Sequence, residues 1–191
     1  MELLEASEFL RRAAKHGIVP DPACRDRPWQ ASLKFAIGPP YCSQWITPEA
    51  PSNLPGFTSC LLACAAPGQA VYLFVKGGAP WFTGSDPNTG PEWEHLRDRV
   101  VGILPIPRDF RGTLKMASTE ADDVVLLMVT FLVYAWCPTD DLQIVPEDGN
   151  VIMQTSHHGQ VLVQFPDEER MKTFVSSMAE RGFPTYKEGP A

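Results

Sequence analysis

The sequence predicts an α+β fold, antiparallel strands packed with helices, and two stretches carry that prediction. The first is the segment 120–136, in which Val124 to Cys137 runs without a single charge. A strand that long would far exceed the usual five or six residues, so the run reads as a helix. It is apolar on every side, which predicts that other elements cover it all round. Thr119 with Asp122 resembles a capping box at its start, and Pro138 stops it. The second stretch is the C-terminal third. Leu142–Val145, Val151–Ser156 and Val161–Phe165 are short strands separated by the turn residues 147–150 and 157–160, an antiparallel meander. Asp167 then caps a helix to Arg181 with Met171, Phe174, Val175 and Met178 inward, closed by Gly182 and followed by Pro184.

The remaining elements follow from periodicity. Residues 3–16 form an amphipathic helix with Leu3, Phe9, Leu10, Ala13 and Ala14 inward and Arg11, Arg12 and Lys15 outward, ended by Gly17. Trp29 to Ile37 alternates as a half-buried strand: Trp29, Ala31, Leu33, Phe35 and Ile37 lie on one face, and Gln30, Ser32 and Lys34 on the other. Tyr41 to Ile46 reads as an edge strand and 48–56, rich in proline, as a loop. Phe57–Ala65 and Val71–Lys76 around Pro67-Gly68 read as a hairpin. Residues 77–91 form a long loop, Pro91 opens a helix with Trp93, Leu96, Val100 and Val101 buried, and 104–115, broken by Pro105 and Pro107, is irregular.

The chain of 191 residues fits a single domain, 1–191, although helix–strands–helix order recurs in 1–112 and 113–186 and leaves two αβ halves as an alternative. Its acids outnumber its bases by 23 to 16, and no stripe of Lys or Arg exists to face phosphates, so nucleic acid is excluded as a partner. The apolar run before Pro138 falls short of the twenty or so residues a spanning helix needs, and the acidic N-terminus is unlike a secretory signal. A soluble cytoplasmic protein is expected. Five cysteines with no C-x-x-C pair suggest buried thiols in a reducing compartment, and Cys60 and Cys64, four apart, share one face.

No nucleophile elbow, phosphate loop or metal-ligand spacing is present in the sequence, and no cofactor or metal is expected. Candidate binding residues come from two places. The loop 77–93 carries Trp81, Phe82, Asp86 and Trp93 among glycines and prolines, and a long loop bearing large aromatics is either a plug over the core or a contact surface. His157 and His158 sit on a turn, where imidazole serves as ligand, base or polar turn residue.

The size, acidity and helix–meander–helix order are similar in type to small bacterial accessory proteins, including toxin-neutralising immunity proteins, although the likeness carries no motif and no residue over. The expected function is non-catalytic protein binding of the inhibitor, immunity or adaptor type, with another protein as partner. The alternatives are a metal-dependent or acid–base hydrolase using His157 or His158, and a small-molecule or carbohydrate pocket walled by Trp29, Trp45, Trp81 and Trp93.

Overall fold

The computed structural model describes residues 1–21, 33–35, 42–48, 51–75, 81, 95, 99, 104–107, 110–133, 141–156 and 159–184. It is α+β, as the sequence predicts. Seven antiparallel strands form one sheet: β1 (Glu2–Leu4), β4 (Cys42–Ile46), β5 (Val71–Val75), β6 (Thr113–Met116), β7 (Leu142–Pro146), β8 (Ile152–Thr155) and β9 (Val161–Phe165), in the spatial order β1-β6-β5-β7-β8-β9-β4. A separate pair, β2 (Ile18–Pro20) and β3 (Leu33–Phe35), is also antiparallel. Four α-helices are described over their length, α1 (Ala6–Ala14), α2 (Leu54–Ala65), α3 (Ala121–Val133) and α4 (Glu168–Glu180), with 3-10 turns at Pro51–Asn53 and Ser118–Glu120.

Strand alternation divides the core into two layers. Val71, Leu73 and Val75 of β5 point to the side covered by α2, α3 and α4, together with Leu114, Met116, Ile144, Met153, Val161 and Val163. Tyr72 and Phe74 point the other way, with Val145 and Ile152, and are covered by α1 and the β2–β3 pair through Phe9, Ala13, Ile18, Leu33 and Phe35. Phe9 packs 5.4 Å from Tyr72 and 5.7 Å from Phe74. All five residues of β5 are therefore buried, which explains why Val-Tyr-Leu-Phe-Val reads as a continuous apolar run.

The meander stands where its turn residues put it. Gly149 and Gly159 take φ +65° and +73°, as turns between antiparallel strands require. The Asp167 side chain accepts a hydrogen bond from the Arg170 backbone N–H at 2.9 Å, capping α4, and Gly182 follows that helix at φ +86°. Phe174 and Met178 are buried on the inner face of α4, with Met171 and Val175 packed beside them.

Several expectations give way to non-local pairing. The N-terminal helix starts at Ala6, because Glu2–Leu4 pairs with β6 instead, and Leu3 is consequently 41% exposed. The 104–115 segment is not wholly irregular, since β6 is held between β1 and β5. The first arm of the expected 57–76 hairpin is helix α2. Its buried residues Leu54, Phe57, Thr58, Leu61, Leu62 and Ala65 follow a helical repeat, with Cys60 buried beside them, and Pro55 occupies the first turn, where a missing N–H costs nothing.

The start of α3 also differs from expectation. A single 3-10 turn, Ser118–Glu120, precedes it, and the Glu120 carboxylate accepts from the Ala117 N–H at 2.8 Å, so the expected Thr119–Asp122 box is replaced by this one carboxylate contact. Among the described residues the cover of this helix is uneven. Val124, Leu127, Met128, Phe131 and Leu132 are buried against α2 and the sheet, whereas Val125, Leu126 and Val129 are partly buried and Val133 is 45% exposed. The physical reason is its place in an outer layer, where one face has no further element to bury it among the described residues.

Most of the Trp29–Ile37 strand, the helix opening at Pro91 and the end of the 120–136 helix lie outside the described residues. Leu33 and Phe35 are buried and Lys34 half-buried, in the expected alternation, and His95 and Arg99 have helical backbone. No described helix is long and apolar enough to cross a membrane.

The end of α1 abuts the β7–β8 turn closely. A Cβ on Gly149 would stand 2.3 Å from the Cβ of His16, whereas one on Gly159 would meet nothing within 4 Å. Both substitutions to Ala incur the left-handed backbone cost of about 1–2 kcal/mol. Gly149→Ala is expected to lose a further 1–3 kcal/mol or so from overpacking. Urea unfolding of the two variants checks this, and equal losses would show that α1 does not seat on the turn.

Candidate functional site

The sequence-predicted site residues do not assemble into one described site. Trp81 is 0% exposed; its indole N–H donates to the Gly112 carbonyl at 2.9 Å and its ring meets Phe131 of α3 edge-on at 6.1 Å. Its backbone N–H donates to the Phe110 carbonyl at 2.8 Å. The residue thus plugs the core on the helix side of the sheet and is not presented as a surface anchor. Phe82, Asp86, Trp93, His157 and His158 lie outside the described residues, as does Trp29. Trp45 is half-buried on the edge strand β4. Its neighbour Ile46 enters the helix-side core, so Trp45 stands on the opposite sheet face from Trp81, and the two do not wall a common pocket.

A different group of residues does converge, around the turn between β7 and β8. The turn is tied to the chain leaving α2: the Glu147 N–H donates to the Ala70 carbonyl at 2.9 Å, and Gln69 Nε2 donates to Asp148 Oδ2 at 2.8 Å. Asp148 also accepts from the Asn150 backbone N–H at 3.0 Å, the local bond that makes Asp favourable in turns, and from the Asn150 amide at 2.5 Å. Asn150 Oδ1 in turn accepts from the Arg170 guanidinium, whose Nε pairs with Asp167 Oδ2 at 3.3 Å. The result is a chain of contacts, Gln69–Asp148–Asn150–Arg170–Asp167, spanning three elements.

This chain borders a cleft of about 610 Å³. Its apolar lining comes from Ala65, Val151, Phe165 and Phe174, the last two rings 5.2 Å apart, and its outer wall from Thr173 and Ser177 of α4. Among the described residues Asp148, Asp167 and Glu169 line it against the one cation Arg170, so their formal balance is acidic. Each polar group of the network is already hydrogen-bonded within the protein, which fixes the shape of the wall before anything binds.

Cys64, half-buried, lies at the cleft, and Cys60 lies beneath it at 8% exposure with its thiol 3.5 Å from Met178 sulfur. Burial, reinforced by the neighbouring Cys64 thiol, pushes the Cys60 thiol up to about 11. It packs as a neutral apolar group between α2 and α4.

A second polar cluster crosses the sheet on its other face. Gln143 Nε2 donates to Gln154 Oε1 at 2.9 Å, Gln154 Nε2 donates to Asp141 Oδ2 at 3.2 Å, and Gln143 Oε1 accepts from the Leu33 N–H at 3.2 Å. These residues are buried and bind the β2–β3 pair to the sheet, a structural task. Among the described residues no group of three His, Cys, Asp or Glu side chains could hold a metal ion.

Sequence reasoning did not select Gln69, Asn150 or Arg170. Asp148-Gly149-Asn150 read as turn chemistry and Arg170 as part of a capped helix, and both readings are correct locally. Only the pairing of β7, β8 and the α4 start brings them together. The chain matches no protein-family model, no curated protein and no solved structure.

The burial of Trp81 sets a test. Trp81→Ala is expected to cost about 3–5 kcal/mol in denaturant unfolding. Trp81→Phe is expected to cost less, about 1–3 kcal/mol, chiefly from leaving the Gly112 carbonyl without its donor. Wild-type stability in Trp81→Ala would place the indole outside the core.

Proposed function

We propose that the protein is a non-catalytic binding protein, of the inhibitor, immunity or adaptor type, that takes a basic amphipathic segment of another protein in the cleft beside the 147–150 turn. The carrying observation is the combination in that cleft of an apolar lining, Val151, Phe165 and Phe174, with an acidic rim built on interlocked side chains. Lys or Arg of a partner find Asp148, Asp167 and Glu169, and apolar side chains beside them cover the edges of a largely buried apolar floor. The wall residues stand on a helix N-terminus and a tight turn, so little ordering entropy is lost on binding. The overall charge of −7 supports the same reading, since it draws cationic partners toward the protein over distances of a Debye length.

The test uses the full chain to isolate its partner and then measures affinity with variants. Thr173 is exposed and Ser177 half-buried on the outer wall, so lysines there add two positive charges without opening the core. Thr173→Lys combined with Ser177→Lys is expected to weaken the partner by more than about 2 kcal/mol, roughly 30-fold in Kd. Lys172→Ala, which alters an exposed ion pair with Glu168 on the same helix, is expected to change Kd less than about threefold. An unchanged Kd in the double-lysine variant would remove this cleft from the function.

A further inference from the structure

We infer that a second cleft, on the opposite side of the same turn, binds a compact phosphate ester. The cleft, about 410 Å³, lies between the last turns of α1 and strands β5 and β7. Arg11 and Arg12 line it from α1, Lys15 and His16 from the turn that ends that helix, Tyr72 from β5, and Glu147 from the β7–β8 turn. Helical spacing explains the grouping: Arg11 and Lys15 are four apart, Arg12 and His16 are four apart, and the two pairs are adjacent.

The carboxylates nearby are already engaged. Glu8 holds the Arg12 guanidinium at 2.5 Å and Glu147 holds Lys115 at 2.7 Å. Among the described residues Arg11, Lys15 and His16 have no ion-pair partner. Counting Lys115, four permanent cations face two acids among the described residues, a local surplus of two positive charges on a chain whose total is −7. Glu8 and Glu147 offset two of these charges, and solvent or a bound anion offsets the remaining two.

Tyr72 adds the second observation. It is 6% exposed, its oxygen accepts from Arg12 Nη1 at 3.5 Å, and the Lys115 ammonium stands 5.6 Å over its ring. A phenol both accepts and donates. Among the described residues its O–H has no acceptor, and the cleft offers donors on every side with its lone carboxylate already paired. What the cleft lacks is an acceptor with about two negative charges. A phosphate ester carries that charge on three terminal oxygens, which suits guanidinium forks, an ammonium and a phenol together. Among the described residues the basic patch is confined to the end of α1 and Lys115 of β6, too short for the stripe a nucleic-acid backbone requires. Phe9 packed at a tilt against Tyr72 and Phe74, and His16 against Gly149, hold the lining in place.

This site is independent of the acidic cleft, so either can fail alone. Isothermal titration of the full chain with phenyl phosphate, inorganic phosphate and citrate tests it. Saturable binding of phenyl phosphate, weaker binding of inorganic phosphate and weaker binding still of citrate are expected. Arg11→Ala with Lys15→Ala is expected to raise the phenyl phosphate Kd roughly tenfold or more, the loss of two charge-assisted contacts. Tyr72→Phe, which keeps the ring and its packing, is expected to raise it severalfold with an unchanged unfolding midpoint. No saturable binding of either phosphate probe would overturn the inference. So would an unchanged Kd in the Arg11/Lys15 variant, or citrate binding as tightly as phenyl phosphate.

Discussion

Strand β5 is enclosed on both faces and along both edges, and the rest of the molecule is arranged around that enclosure. Its edges are taken by β6 and β7, which come from distant parts of the chain, so its backbone donors and acceptors are met by segments some forty and seventy residues later. Its faces are taken by different helices, α1 on one side and the α2–α3–α4 layer on the other. A buried strand with unpaired edges would leave costly polar groups in an apolar interior. The chain therefore closes one sheet from strands of both its halves, with β1 and β4 at the outer edges.

That arrangement also places the chemistry. β7 runs beside β5 and leaves it at Pro146, so the turn that follows emerges between the start of β5, the end of α1 and the start of α4. The turn is clamped to each of them, by Ala70 and Gln69, by the His16–Gly149 contact and by Arg170. Its two sides differ in charge. Asp148 faces the cleft with Asp167 and Glu169, while Glu147 faces the one with Arg11, Arg12 and Lys15. A rigid divider between an acidic and a basic recess follows from four consecutive residues whose local conformation is set by Gly149.

Local signals in the sequence were legible where they were self-sufficient. The meander, the Asp167 cap, the body of α1 and strand β5 depend on alternation, helical period and turn residues, all read over a few neighbours. What escaped depends on partners far along the chain. β1 and β6 are short and take strand form because they pair with each other, and β6 also with β5, against a helical period in one case and flanking prolines in the other. α2 carried a helical repeat from Leu54 onward, but Pro55-Gly56 reads as a loop ending and hides the first turn. The candidate site was less legible than the fold, because Gln69, Asp148, Asn150 and Arg170 each have a complete local role. Trp81 shows the converse: an aromatic amid glycines and prolines looks available, yet a buried carbonyl at Gly112 gives its indole a reason to turn inward.

Native-state hydrogen exchange at Val71–Val75 tests the enclosure of β5 most directly. If that strand is the shared centre of both layers, its amides exchange only through global unfolding, with the same protection as those of Leu142–Pro146 and Ile152–Thr155. Exchange of Val71–Val75 through a local opening, while the meander stays fully protected, would contradict the account.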